Sequence, residues 1–362
     1  MNSRERFLLT INGEKPDRPP VFATLTPQVA EKMSKQLKVP YEEPLDSMLS
    51  TRASHMDLLV KLGNDAVGIA ACAPHNFPTK TQDNGLIKNE WGMVFKPMGL
   101  YNEFFEYPLS HVETVKDIEN YSFPNPLAHG RWNAAKNTIA RYGKTHGIIA
   151  DLETTLFETA WYLAGLEKFL MDLMMEAEYI PELLDKIQEI HTVYGKKMIE
   201  IGADVLWCGD DFGTQQSQIM SLETFRKYFK PRFKEMFQEF RKTNPDIKLA
   251  WHSCGAFRPF IHDFIEIGLD IVNPLQPMAA GMEPESLVKE FGNDVIFFGG
   301  VCVQDLLPNK TPHEIDAEIQ RRKNIFGANG GYITAPAHNI QDDTSVENIL
   351  AFFEAAKKQD RL

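Results

Sequence analysis

The sequence predicts a (β/α)8 barrel, built as a single domain over residues 1–362. Short β-rich runs recur along the chain, helical periodicity fills the stretches between them, and no Gly-x-Gly-x-x-Gly follows the first run. The eight runs are 20–24, 65–70, 147–152, 204–207, 247–251, 270–273, 295–298 and 332–334. Several are continuously apolar, as strands buried on both faces of a parallel sheet must be. Strand and helix in strict alternation favour a closed barrel over an open doubly wound sheet.

In chain order, residues 1–19 form a lead-in to the first run. Residues 73–146 are too long for one connection and are expected to form a lid or rim over the barrel mouth, the alternative being a decorative insertion. Within them, 80–83 and 86–90 flank Asn84-Gly85 and read as a hairpin with a type I′ turn, followed by an extended stretch at 91–95. Residues 181–201 carry Leu184, Ile187, Ile190, Val193 or Tyr194, and Met198 at helical spacing. Ser221 is placed to cap a helix running to about Lys242. Thr311-Pro312-His313-Glu314 and Thr344-Ser345-Val346-Glu347 both read as capping boxes.

Composition narrows the function. The formal charge is −12 and 43% of residues are hydrophobic. Nucleic-acid binding needs a basic face, and none stands out, which also disfavours a membrane surface. The N-terminus lacks signal-peptide character, and no apolar run is long enough to span a bilayer. The four cysteines are widely spaced, a poor disulfide framework, so a cytoplasmic protein with free thiols is expected.

In such barrels the reacting groups follow the strand ends. Read there, the chain offers Cys72, Glu153, Cys208, Asp210-Asp211, His252-Ser253-Cys254, Asn273 and Gln276, Cys302 and Gln304, and His338-Asn339. His252 and Cys254, two residues apart at a strand end, can face the same side, and imidazole and thiolate are both good zinc ligands. A third ligand is open among His338, Cys302, Cys208 and Glu153. The bland reading is a satisfied polar residue beside a small packing residue. Asp210, Asp211 and Glu153 are candidate proton donors, against roles as turn charges or ion-pair partners. Cys72 and Cys208 read more simply as packing residues. Gln276, Asn273, Asn339 and Gln304 are candidate substrate contacts.

These motifs carry a family resemblance. Asp17-Arg18-Pro19-Pro20-Val21-Phe22, Gly209-Asp210-Asp211-Phe212-Gly213-Thr214-Gln215, His252-Ser253-Cys254-Gly255, the stretch from Leu269 to Gln276, Phe298-Gly299-Gly300-Val301 and the stretch from Ala335 to Ile340 resemble the uroporphyrinogen decarboxylase superfamily. That superfamily holds decarboxylases and corrinoid-linked methyltransferases. The decarboxylases carry an arginine after the first strand, where this chain has Ala23-Thr24-Leu25-Thr26. The methyltransferase branch carries His-x-Cys and a later cysteine as a zinc site. This chain keeps His252 and Cys254, and has His338 where that cysteine is expected, with Cys302 as the alternative.

The resemblance therefore implies a substrate-side methyltransferase of the O-demethylase type. It would move a methyl group from a small methylated substrate, such as a methoxyaromatic or other methyl ether, to the Co(I) corrinoid of a partner protein, with zinc assisting. A homodimer is implied as well. The alternatives are a decarboxylase of a tetrapyrrole or other acidic substrate, and a non-catalytic binding module.

Overall fold

Seven of the eight expected runs form one parallel sheet in the computed structural model, which describes residues 1–47, 52–99, 102–328 and 331–359. In chain order the strands are β1 (Ala66–Ala70), the short β2 (Lys80–Thr81), β3 (Ile87–Lys88), β4 (Val94–Pro97) and β5 (Asn102–Glu106), then β6 (Gly147–Asp151), β7 (Val205–Gly209), β8 (Lys248–His252), β9 (Ile271–Asn273), β10 (Ile296–Val301) and β11 (Tyr332–Pro336). The parallel sheet runs β1-β6-β7-β8-β9-β10-β11.

The eighth position is filled, though not by a regular strand. Residues 20–26 lie against β11, where the Phe22 amide donates to the Thr334 carbonyl at 3.1 Å and the Thr334 amide to that of Pro20 at 2.9 Å. On the β1 side one backbone bond remains, from the Asp65 amide to the Val21 carbonyl at 2.7 Å, and side chains replace the rest of the ladder. Asp65 Oδ2 accepts from the Val21 amide at 2.8 Å, and Asn64 Oδ1 from the Ala23 amide at 2.9 Å. The expected first strand is therefore an extended seam. Pro19 and Pro20 have no N–H to give a ladder.

Inside the barrel, Phe22, Ile149, Val205, Trp207, Ile271, Phe298 and Ile333 pack together. Phe7 and Ile11 of the helix Ser3–Ile11 join this cluster, so the lead-in plugs the N-terminal end. Gly147 makes room for it, since a Cβ there would lie 2.1 Å from the Phe7 ring. Asp65 binds the plug to the seam, accepting from Arg6 at 2.8 Å and from Arg18 at 2.7 Å.

The insertion holds a second, antiparallel sheet, β2-β3-β4-β5. Its first turn differs from the expected type I′. The Gly85 amide donates to the Gln82 carbonyl at 2.9 Å, and Gly85 alone takes a positive φ, +81°. That is a type I turn closed by a left-handed glycine, one residue longer than the two-residue loop expected.

Three helix ends refine the sequence reading. The capping box at Thr311 and Glu314 is present. At the C-terminus the cap falls one residue later than expected, with Ser345 accepting from the Asn348 amide at 3.1 Å. Ser221 caps Leu222–Tyr228, but a second helix, Lys230–Thr243, starts at once. Pro231 in its first turn has no amide to continue the first helix.

The long helix Ile180–Glu200 buries His191, whose ring stacks on Trp91 of the insertion at 5.9 Å. Burial pushes this imidazole down to about 3. The native state thus stays uncharged at His191 while the unfolded chain takes up a proton below about 6.5. Its contribution to stability is full above that pH and is lost as pH falls toward 3. His191→Phe removes this titration. The variant's unfolding free energy, from urea melts at pH 7 and pH 5, is expected to fall less than the wild type's, by up to about 1.4 kcal/mol per pH unit. Equal slopes would mean that His191 is already protonated when folded. Among the described residues, no helix is long and apolar enough to cross a membrane.

Candidate active site

Adjacent strand ends bring Gly209, His252 and Asn273 into register on β7, β8 and β9. Ala250 faces the interior, so His252, two residues on, faces it too. The fit depends on Gly209, where a Cβ would lie 2.8 Å from the His252 Cβ.

The imidazole is held in one orientation. Asn273 Nδ2 donates to the Phe298 carbonyl at 3.1 Å, which turns the amide oxygen toward His252 Nδ1 at 2.6 Å. Nδ1 therefore carries the proton and Nε2 presents a lone pair to the barrel mouth. Burial, with Arg52 and His338 nearby, keeps this ring neutral.

Nε2 faces a group of donors. Cys254 Sγ lies 3.4 Å from it and Asp211 Oδ1 3.8 Å. The ligand atoms of Asp211, His252 and Cys254 all fall within 4.8 Å of one another. Asp211 is fixed by the Cys254 amide, which donates to its Oδ1 at 2.7 Å. The two loops meet closely at Gly213 and Gly255, where a Cβ on Gly255 would lie 2.4 Å from the Thr214 carbonyl oxygen. Phe212 anchors the first loop beneath them, buried and stacked on Trp251 at 6.1 Å.

The other candidates sort by environment. His338 and Cys302 line an adjoining cleft of about 390 Å³ with Cys254, Gln276 and Gln304. The His338 ring centroid is 6.3 Å from that of His252, and its ligand atoms lie outside the 4.8 Å group. Burial pushes His338 down to about 4. Glu153 Oε1 is 3.5 Å from His252 Nε2, and its carboxylate pairs with Arg52. Cys208 packs outside the barrel interior, and Cys72 is buried beneath the insertion.

Asp210, expected as a proton donor, is fully buried and accepts from the amides of Thr155, Leu156 and Glu158 at 2.9–3.0 Å. It pins the loop that starts the helix Phe157–Ala164 and lies outside the donor group. Asn273 serves His252, as described. Asn339, expected as a substrate contact, accepts instead from the Thr24 hydroxyl at 2.5 Å across the seam.

Two residues of the site were not read from the sequence. Arg52 enters the mouth from the segment before β1 and lies over the Trp207 ring at 4.7 Å. Glu158 sits behind Asp211. Its Oε2 accepts from the Asp211 amide at 3.2 Å and its Oε1 from the Tyr162 hydroxyl at 2.8 Å. Burial, with Asp211 and Asp210 close by, pushes the Glu158 carboxyl well up. The Tyr162 ring stacks in turn on Phe104 of β5 at 4.6 Å. Neither residue has a local motif. Arg52 has only its distance from any strand end to hide it, and Glu158 reads as an ordinary first-turn acid.

A parallel barrel with its polar groups gathered beyond the C-terminal strand ends is the architecture of a TIM-barrel protein. A family model for uroporphyrinogen decarboxylase (URO-D) matches residues 102–359, and the chain belongs to that family. A solved methyltransferase from Methanosarcina mazei superposes with a TM-score of 0.74 and 21% identity over 98% of both chains.

Relatives fall in both branches. A methylated-thiol–coenzyme M methyltransferase of M. mazei is 25% identical over 211 residues, 58% of this chain and 53% of the relative, so the chain spans about half of its length. A methylcobamide:CoM methyltransferase of M. mazei is 24% identical over 255 residues, 70% of each. A uroporphyrinogen decarboxylase of Pelodictyon phaeoclathratiforme is 25% identical over 180 residues, 49% of this chain and 48% of the relative.

Proposed function

We propose that this protein is a corrinoid-dependent methyltransferase that takes a methyl group from a small methylated compound, such as a methyl ether, and passes it to the Co(I) corrinoid of a partner protein. The observation that carries the reading is the His252, Cys254 and Asp211 donor group at the mouth of a URO-D-family barrel. The relatives named as corrinoid methyltransferases support it.

The donor chemistry fits zinc: one imidazole nitrogen whose lone pair faces the mouth, where the Cys254 thiol and the Arg52 guanidinium each lie 3.4 Å from it, one thiol sulfur and one carboxylate oxygen, with a cleft beside Cys254 for a fourth position. Bound there, zinc would act as a Lewis acid on the leaving oxygen. The chain's own residues set the geometry. Asn273 aims His252, the Cys254 amide aims Asp211, and Glu158 holds the Asp211 backbone. The methyl carbon would exchange its bond to oxygen for one to the cobalt of the partner's Co(I) corrinoid, which would supply the electron pair, and the demethylated alkoxide or phenoxide would leave and take up a proton.

Asn273→Ala is expected to weaken zinc affinity by about 10- to 100-fold while leaving the fold intact. Competition with a colorimetric chelator reads this, and unchanged affinity would remove Asn273 from the site. The function itself is tested by mixing zinc-loaded protein with methyl ethers and Co(I) cobalamin under strict anaerobiosis. Loss of the Co(I) absorbance in a donor-dependent manner is expected. Failure across methoxy, methylthio and methylamino donors with metal verified in place would overturn the reading.

Arg52 in the barrel mouth favours a second reading, a decarboxylase of an acidic substrate, because a buried guanidinium is a carboxylate partner. Glu153 already occupies that role. Release of CO2 from a porphyrinogen would place the protein in the other branch.

A further inference from the structure

The cleft beside Cys254 has a composition that bears on the substrate, an inference that rests on the methyl-transfer reading. Its side chains include Cys254, Gln276, Cys302, Gln304, His338 and Gln341, and none of the described lining residues is acidic, lysine or arginine. His338, the one ring that can ionise there, is held neutral by burial.

The Gln276 amide has a fixed sense. Its oxygen accepts from the Gly255 amide at 2.9 Å and from the Gln215 side chain at 3.3 Å. Its NH2 is therefore the end left to donate. The buried Nδ1 of His338 has no partner among the described residues. Arg52 faces the inner cavity shared with His252 and His338, and there the Glu153 carboxylate balances it. With zinc in place, the Cys254 thiolate and the Asp211 carboxylate would cancel its charge, so an anion entering the cleft would lose water and meet no net positive charge, which is strongly unfavourable. A neutral amide, ether or hydroxyl would meet matching dipoles.

We propose that this cleft binds the methyl donor as an uncharged, hydrogen-bonding small molecule, contacted by Gln276, Gln304 and His338, and that it discriminates against anionic donors.

Three matched probes test this on the zinc-loaded protein: methoxyacetamide, methoxyacetate and 2-methoxyethylammonium. Binding is followed by ligand-observed NMR titration. The amide is expected to bind about ten-fold or more tighter than either charged analogue. Gln304→Arg, at an exposed position, is expected to raise methoxyacetate affinity by about 10- to 100-fold, the worth of a charge-assisted hydrogen bond. Methoxyacetate bound as well as the amide by the wild type, the ammonium bound best, or no probe bound at all would each overturn the assignment. The same probes offered with Co(I) cobalamin separate the two readings. The expected binding order without methyl transfer sinks the methyltransferase and leaves the cleft's selectivity standing. Transfer with the order reversed does the opposite.

Discussion

Cys254→Ala and His252→Ala are each expected to reduce bound zinc from about one per chain to near none after dialysis, and to lower methyl transfer by roughly 10²- to 10⁴-fold. Each removes one of three donors, and a remaining pair cannot fill a tetrahedral shell. Thermal midpoints near the wild-type value would show that the barrel survives. Two further variants decide the third ligand. Asp211→Asn is expected to lose metal, because its carboxylate lies within the donor group, whereas His338→Gln is expected to keep it. Metal lost from His338→Gln and retained by Asp211→Asn would restore the ligand set that the sequence suggests. Zinc retained by both Cys254→Ala and His252→Ala would place the metal elsewhere.

The second large effect concerns the seam. Asp65 is buried and accepts from Arg6, Arg18 and the Val21 amide. Asp65→Ala removes the carboxylate that serves Arg18 and the Val21 amide and one of the two that serve Arg6, and is expected to destabilise the protein by about 3–5 kcal/mol. Urea denaturation reads it. Asp65→Asn, which keeps one acceptor oxygen, is expected to fall between the variant and the wild type. A loss below about 1 kcal/mol for Asp65→Ala would mean that residues 20–26 are held chiefly by their bonds to β11.

The barrel was legible because its strands are short apolar runs with helical periodicity between them, a pattern set by burial on both faces. Seven of those runs are strands within three residues of the expected ends. The eighth departs from a strand because residues 20–24 have strand-like composition while all but one of their closing bonds on the β1 side come from the Asn64 and Asp65 side chains. Side-chain acceptors leave no period in a sequence. The same reason limits the site. His252 and Cys254 were visible as a local pair, since both lie at one strand end. Asp210 and Asp211 were indistinguishable in sequence. One turns inward to cap the loop at Thr155–Glu158 and the other turns to the mouth. Arg52 and Glu158 arrive from other segments, and only the folded chain brings them to His252 and Asp211.

The contacts from Phe104 through Tyr162 and Glu158 to Asp211 join the insertion's sheet to the donor group. Such a chain obliges reciprocity. Were a protein docking on the insertion to displace Phe104 and so change the affinity of the donor group for an ion by some factor, linkage would bind the two events together. Loading the ion must then change the docking affinity by that same factor. The rim and the mouth would then be two handles on one equilibrium, and loaded and empty forms would differ in their attraction for a partner.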